Sequence, residues 1–245
     1  DRDAVVRSIR GLRPSLVVYA AAFTNVDACE REVEQAMAVN AFAPGCIAAA
    51  CREVDAPLVQ FSTDYVFDGV GTRPYRVHDS ACPVSVYGRS KWEGEQAVRA
   101  ATDRHLIIRT SWLFGPSGRN FVEAILAKAL AGVPLRVVVD QVGRPTLTVD
   151  LSDAVVKLLE ADAQGTFHFA NDGQCSWFEF AQAILRQAGV NIPVEPITTE
   201  KSDRPARRPA YSVLDLTRYV ETTGHSPARW TEALQSYFRL RTCRE

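Results

Sequence analysis

The chain has 245 residues, with 28 basic and 29 acidic side chains and a formal net charge of −1. Apolar residues make up 47% and charged residues 23%, the balance of a globular protein with room for one large or two modest domains. The near-neutral charge argues against nucleic acid or an anionic membrane surface as partner, and no apolar run approaches the roughly 18 residues of a bilayer span.

Residues Asp1-Arg2-Asp3 lead straight into a helical rhythm at Val5, Val6, Ile9 and Leu12. The chain does not begin with methionine, and Met37 is its only one, so the start reads as the interior of a longer protein. Short apolar runs then alternate with helical stretches. Strands are expected at residues 16–20, 57–62, 106–110, 135–139 and 166–170. Helices are expected at 33–54, from Tyr87 to about 101, and at 121–131, 150–161, 177–188 and 231–240. Alternating strands and helices with continuously apolar strands indicate an α/β fold built on a parallel sheet covered on both faces. Residues 1–139, with 150–170 returning to them, are assigned to that sheet domain. A smaller lobe is placed at 171–245, joined by the loops near 115–121 and 140–149. Ligands of such sheets bind beyond the carboxyl ends of the strands.

The six cysteines (Cys29, Cys46, Cys51, Cys82, Cys175 and Cys243) are dispersed, with no Cys-x-x-Cys, and read as free thiols in a reducing cytoplasm. His78, His105, His168 and His225 lack metal-ligand spacing, and no metal is expected.

Tyr87 and Lys91 stand four residues apart at the start of a helix, on one face. A nearby ammonium favours an ionised phenol, so the pair makes a tunable proton donor. Lysine is scarce, four residues against 24 arginines, and composition alone gives about 0.1 occurrences of Tyr-x-x-x-Lys. Upstream, Ser62-Thr63-Asp64-Tyr65-Val66-Phe67-Asp68-Gly69 follows a strand end and delivers hydroxyls, a carboxylate and aromatic rings to the expected ligand edge.

A hydroxyl followed by Tyr-x-x-x-Lys resembles the short-chain dehydrogenase/reductase superfamily, in its extended branch. Five further segments look like the dTDP-4-dehydrorhamnose reductase family in order and spacing. They are Ala20-Ala21-Ala22-Phe23-Thr24-Asn25-Val26-Asp27, Val86-Tyr87-Gly88-Arg89-Ser90-Lys91, Arg109-Thr110-Ser111-Trp112-Leu113, Gly165-Thr166-Phe167-His168-Phe169-Ala170-Asn171 and Arg204-Pro205-Ala206-Arg207-Arg208-Pro209-Ala210-Tyr211-Ser212. The resemblance implies a Rossmann-like doubly wound sheet and reduction of the C4 keto group of a dTDP-sugar by NADPH or NADH. In that reading Tyr87 is the general acid, Thr63 steadies the developing oxyanion, and Lys91 lowers the phenol pKa and holds the nicotinamide ribose. Ala21, Ala22 and Thr24 join Tyr87 and Lys91 as cofactor contacts. Thr63, Asp64, Tyr65, Trp112, Asn120, Gln141, Arg204 and Arg207 fall on the substrate side. Arg208 joins Arg204 and Arg207 as a diphosphate clamp, since guanidinium forks match phosphate oxygens. Asn40 matches the helical asparagine that supports the active site in this superfamily. A homodimer is compatible with the family.

The chain departs from the family at its start, where a Gly-x-x-Gly-x-x-Gly turn is expected and absent. The strand at 16–20 is therefore expected to show an apolar edge, and the chain as written to bind NAD(P)H poorly. Preference between NADH and NADPH is not legible. Two other readings stay open: a regulatory subunit resembling the methionine adenosyltransferase β subunit, and a nucleotide-sugar epimerase or dehydratase. A dehydratase would carry glutamate where Tyr65 stands.

Overall fold

The computed structural model describes residues 2–242. Helix α1 (Arg2–Leu12) precedes strand β1 (Val17–Tyr19) and the single turn α2 (Val26–Cys29). A longer helical stretch comes next in three parts: α3 (Val33–Met37), a π turn (Ala38–Phe42) and α4 (Ala43–Glu53). After it come β2 (Leu58–Thr63), a 3₁₀ turn (Asp64–Val66), α5 (Val86–Ala101) and β3 (His105–Thr110). Beyond them lie β4 (Leu113–Phe114), α6 (Phe121–Leu130), β5 (Leu135–Val138), β6 (Val142–Gly143), β7 (Thr146–Leu147), α7 (Thr148–Glu160) and β8 (Gly165–His168). The chain continues through β9 (Cys175–Ser176), α8 (Trp177–Gln187), β10 (Val194–Ile197), α9 (Thr217–Thr223) and α10 (Trp230–Thr242).

The main sheet is parallel, in the order β1-β2-β3-β8. Alternation along its strands feeds two cores. Leu58 and Ile107 pack with Ile9, Ile47, Cys51 and Val98 from α1, α4 and α5. Val59, Leu106 and Ile108 pack with Leu151, Val155, Leu158 and Tyr219 from α7 and α9. Helices on both faces make this the Rossmann-like α/β fold that the strand pattern indicated. β1 has β2 as its one partner in the sheet and forms an edge, where Val18 is 49% exposed. That is the apolar edge expected from the sequence.

A third core gathers α6, α8, α10 and β5 around Val122, Leu126, Leu135, Phe180, Ile184 and Tyr237. Here the structure differs from the sequence-based division. β5 pairs in parallel with β10, away from the main sheet, and α6 packs against α8. Residues 121–138 therefore share their core with the C-terminal lobe and not with the sheet to which periodicity assigned them.

The helix expected over 33–54 is interrupted. At the π turn the Ala43 N–H reaches back five residues to the Ala38 carbonyl, and the Tyr19 hydroxyl donates to the Val39 carbonyl at 3.0 Å. Alpha-helical periodicity cannot register one extra residue. The 3₁₀ turn and the helices at 26–29 and 217–223 are too short for a periodic signal.

Candidate active site

Thr63 ends β2 in extended backbone, at the carboxyl edge of the sheet. Ser85 caps α5 by accepting from the Gly88 N–H at 3.1 Å, so Tyr87 lies in the first turn and Lys91 one turn further. Gly88 permits this docking. A Cβ there would lie 2.2 Å from the Tyr65 carbonyl oxygen. With α5 seated against the 3₁₀ turn, the Thr63 hydroxyl lies close enough to the Tyr87 phenol to favour its ionised form. Thr63 also donates to Asp64 Oδ1 at 3.1 Å and accepts from the Tyr65 N–H at 3.2 Å. The Tyr65 ring stands edge-on to Tyr87, with centroids 5.8 Å apart.

Burial pushes the Tyr87 phenol above its ordinary range; the Thr63 hydroxyl works against that shift and the Asp64 carboxylate adds to it. Lys91 is buried, and its Nζ donates to the Phe61 carbonyl at 2.7 Å. Within the described residues the ammonium hydrogen-bonds this carbonyl on β2 and makes no hydrogen bond to the phenol four residues before it. Burial pushes Lys91 down to about 8, with Glu95 opposing.

Glu95 anchors a buried charged layer next to Lys91. It takes Arg109 in a fork at 2.9 and 2.8 Å, Arg99 at 2.8 Å and the Ser62 hydroxyl at 2.5 Å. Burial would raise the Glu95 carboxyl, yet Arg109, Ser62 and Arg99 together hold it below its usual range. His168 lies 3.4 Å from Arg109, and burial followed by that guanidinium pushes it down to about 3. His168 is thus a neutral core residue, as its lack of ligand spacing suggested. Asp64 is also buried. Its Oδ2 accepts from the Ser212 hydroxyl at 2.5 Å. Burial pushes Asp64 up to about 7 against the hydrogen bonds from Ser212 and Thr63.

Ala21, Ala22 and Thr24 lie just past the carboxyl end of β1, with Ala21 and Thr24 exposed. Asn40 holds this segment from the π turn. Its Oδ1 accepts from the Phe23 N–H at 2.8 Å, and its Nδ2 donates to the Phe23 carbonyl at 3.0 Å and to Ser90 Oγ at 3.1 Å. Ser90 in turn donates to the Tyr87 carbonyl at 2.8 Å. Asn40 therefore braces the small-residue segment against the helix that carries Tyr87.

A cavity of about 480 Å³ opens from Tyr65 toward the second lobe, lined in part by Phe121, Gln141, Trp177, Arg204 and Arg208. Gln141 is buried and donates to Thr199 Oγ1 at 2.9 Å. Of the substrate-side expectations, Tyr65, Gln141 and Arg204 line the cavity, whereas Thr63 and Asp64 are buried outside its lining and Trp112, Asn120 and Arg207 are placed differently. Trp112 stacks on Trp177 at 3.6 Å between centroids, and it is Trp177 that lines the cavity. Asn120 caps α6, accepting from the Glu123 N–H at 3.2 Å and donating to the Gly115 carbonyl at 2.9 Å, and does not line the cavity. Arg207 is exposed and outside the cavity, whereas Arg204 and Arg208 both line it and both reach Asp27. Asp27 and Ser212 close two of the family-like segments without a local sign of what they bind, and Trp177 lies in no such segment. Their partners lie far away along the chain.

Among the described residues no group of histidine, cysteine and carboxylate side chains could hold a metal ion, and no helix is long and apolar enough to cross a membrane.

Residues 1–242 match the family model of the RmlD substrate binding domain. The spore coat polysaccharide biosynthesis protein SpsK of Bacillus subtilis (strain 168) is 43% identical over 242 residues, which cover 99% of this chain and 85% of that protein. A dTDP-4-dehydrorhamnose reductase of Mycolicibacterium smegmatis is 42% identical over 240 residues, covering 96% of this chain and 72% of that one. Among solved structures, a dTDP-4-dehydrorhamnose reductase from Clostridium acetobutylicum superposes with a TM-score of 0.95 at 42% identity, covering 99% of this chain and 86% of that one. The Bacillus anthracis reductase, solved in complex with NADP, gives 0.94 at 36% identity, with 98% and 85% covered. By motif order, fold and site, the chain belongs to the RmlD substrate-binding-domain family.

Proposed function

We propose that this chain carries the proton-delivery and substrate-binding machinery of an NAD(P)H-dependent reductase acting on the C4 keto group of dTDP-4-dehydro-β-L-rhamnose, with dTDP-L-rhamnose as product. The observation that carries this reading is the convergence of Thr63 and Tyr87 at the sheet's carboxyl edge, with α5 docked against the turn after β2 and buried Lys91 one turn along the same helix.

The site has features that fit a nicotinamide cofactor. Small side chains flank the exposed segment after β1, and Lys91 makes one hydrogen bond within the described chain, leaving ammonium protons for ribose hydroxyls. Ala21, Ala22 and Thr24 would line that cofactor's position, with Tyr87 and Lys91 opposite. When bound, the reduced nicotinamide supplies the hydride. Tyr87 then hands its phenolic proton to the alkoxide at C4, a role worth about 10²–10⁴-fold for a positioned donor. Thr63 holds the phenol and the developing oxyanion in one hydrogen-bonded set. A phenol kept protonated by burial is ready to donate at neutral pH. Arg204 and Arg208 face the cavity where the substrate diphosphate would lie, and Tyr65 and Gln141 line it where the sugar end would sit.

Tyr65 stands where a dehydratase would place an acid, and its ring packs on Tyr87, which favours the reductase over a dehydratase. The cytoplasm is the compartment this chemistry implies, and a homodimer is compatible with it. In the full-length protein, Tyr87→Phe should cut turnover at least 100-fold while leaving NADPH affinity within about twofold. Unchanged turnover would overturn the assignment.

A further inference from the structure

The cofactor-side segment and the arginine loop are joined by one carboxylate. Asp27 sits in the short helix α2, directly after the small-residue stretch of 21–24. Its Oδ1 accepts from the Ala206 N–H at 3.2 Å. Its Oδ2 accepts from Arg208 Nη2 at 2.8 Å and from Arg204 Nη1 at 3.3 Å. These bonds cross 177 to 181 residues of sequence. Burial would raise the carboxyl, but the Arg208 and Ala206 hydrogen bonds outweigh it and hold Asp27 below the usual carboxylate range.

The two arginines are held unequally. The Arg208 side chain is 11% exposed and also donates to the Ala206 carbonyl at 3.0 Å, so its fork is fixed. The Arg204 side chain is 59% exposed and its contact is longer. One carboxylate facing two guanidiniums leaves a surplus positive charge on the cavity wall beside Tyr65. A diphosphate is the ligand that such a pair recognises, by fork and by charge. Fixing the loop before the ligand arrives removes the ordering cost from binding.

We propose that Asp27 is a positioning residue for the substrate's diphosphate: it aims Arg204 and Arg208 into the cavity by tying their loop to the nicotinamide-side half of the fold. The proposal rests on the arginine pair being the diphosphate clamp. It predicts a split between binding and chemistry, since Asp27 makes no hydrogen bond or ion pair with Tyr87, Thr63 or Lys91 within the described residues.

The test compares Asp27→Asn, Asp27→Glu and Arg208→Met in the protein, using dTDP as the probe of diphosphate affinity alongside steady-state kinetics on the keto sugar. Asp27→Asn is expected to raise both KM and the dTDP inhibition constant about tenfold, with kcat within about threefold of the parent, about 1.4 kcal/mol when converted. Asp27→Glu should recover part of the loss. An equal fall in kcat for both Asp27 variants would overturn the proposal in favour of a general structural role. Tighter dTDP binding in Asp27→Asn would overturn it too, because the carboxylate would then be a competitor for the arginines. If Asp27→Asn leaves dTDP affinity unchanged while Arg208→Met weakens it, the clamp stands and the role of Asp27 fails. If Arg208→Met also changes nothing, the clamp itself fails.

Discussion

Replacing Asn40 by alanine removes three hydrogen bonds at a fully buried position: one from the Phe23 N–H, one to the Phe23 carbonyl and one to Ser90 Oγ. At a net value of about 1 kcal/mol each, the loss is about 3 kcal/mol. For a chain of 150–250 residues each kcal/mol moves the melting temperature by about 2–4 °C, so a fall of about 6–12 °C is expected. Asn40→Asp keeps the acceptor for the Phe23 N–H but sets a buried carboxylate oxygen against the Phe23 carbonyl, so it should be at least as destabilising as alanine near neutral pH and recover as the carboxyl is protonated at lower pH. Thermal unfolding by circular dichroism measures both variants, and guanidinium titration checks the free energy at one temperature. The effect also has a direction in function. Untying Phe23 loosens the segment of Ala21, Ala22 and Thr24, so NADPH affinity should weaken more than the affinity for dTDP. A shift below about 2 °C for Asn40→Ala, or an equal loss of both affinities, would refute the idea that Asn40 braces the cofactor side.

Other perturbations draw on the same geometry. Gly88→Ala places a Cβ 2.2 Å from the Tyr65 carbonyl oxygen and must push α5 away from the 3₁₀ turn. Overpacking of this kind costs about 1–3 kcal/mol, and a displacement near 1 Å at the reacting groups costs about 10²-fold in rate. Turnover should therefore drop far more than stability, and parental turnover would contradict the docking argument. Asp64 has a folded pKa of about 7 against an ordinary 3.8, so the fold favours its neutral form. That contribution is full below about pH 4, is lost as pH rises through 7 and is flat above, a span of about 4 kcal/mol. Asp64→Asn is neutral throughout, so its stability relative to the parent should rise between pH 5 and about 7.5. Denaturant titrations across that range giving a constant difference would exclude a buried carboxyl with a raised pKa.

The sequence carried the sheet well because the strands at 58–63 and 105–110 are buried on both faces and hold short apolar stretches, Leu58-Val59 with Phe61 and Leu106-Ile107-Ile108, between helical patterns. It carried Thr63, Tyr87 and Lys91 because their spacing is local. It could not carry the direction of Lys91, whose ammonium finds a carbonyl on β2 thirty residues upstream in place of the tyrosine on its own helix face. Arg207 illustrates the same limit. Three arginines stand within five positions, and only a carboxylate near the other end of the chain decides which of them turn toward the cavity. Asn120 falls on the substrate side by resemblance alone, although its place directly before the helix expected at 121–131, with Glu123 three residues on, is the local signature of the cap it forms. β5 read as one more strand of the main sheet, and its partner, β10, lies nearly sixty residues further on.

The π turn at residues 38–42 gives the site a dependence on arithmetic as well as on chemistry. A π turn accommodates one residue beyond what an α-helix would hold over the same rise. Deleting a single residue there would restore a regular helix and rotate α3 by about 100° relative to α4. Asn40 would then face a different neighbour, although every remaining side chain could be unchanged. Substitutions in this stretch are expected to be graded in their effect, whereas a one-residue deletion should act as a switch, separating the nicotinamide side from the tyrosine helix in one step. The alignment of the reaction's two halves is thus set by residue count.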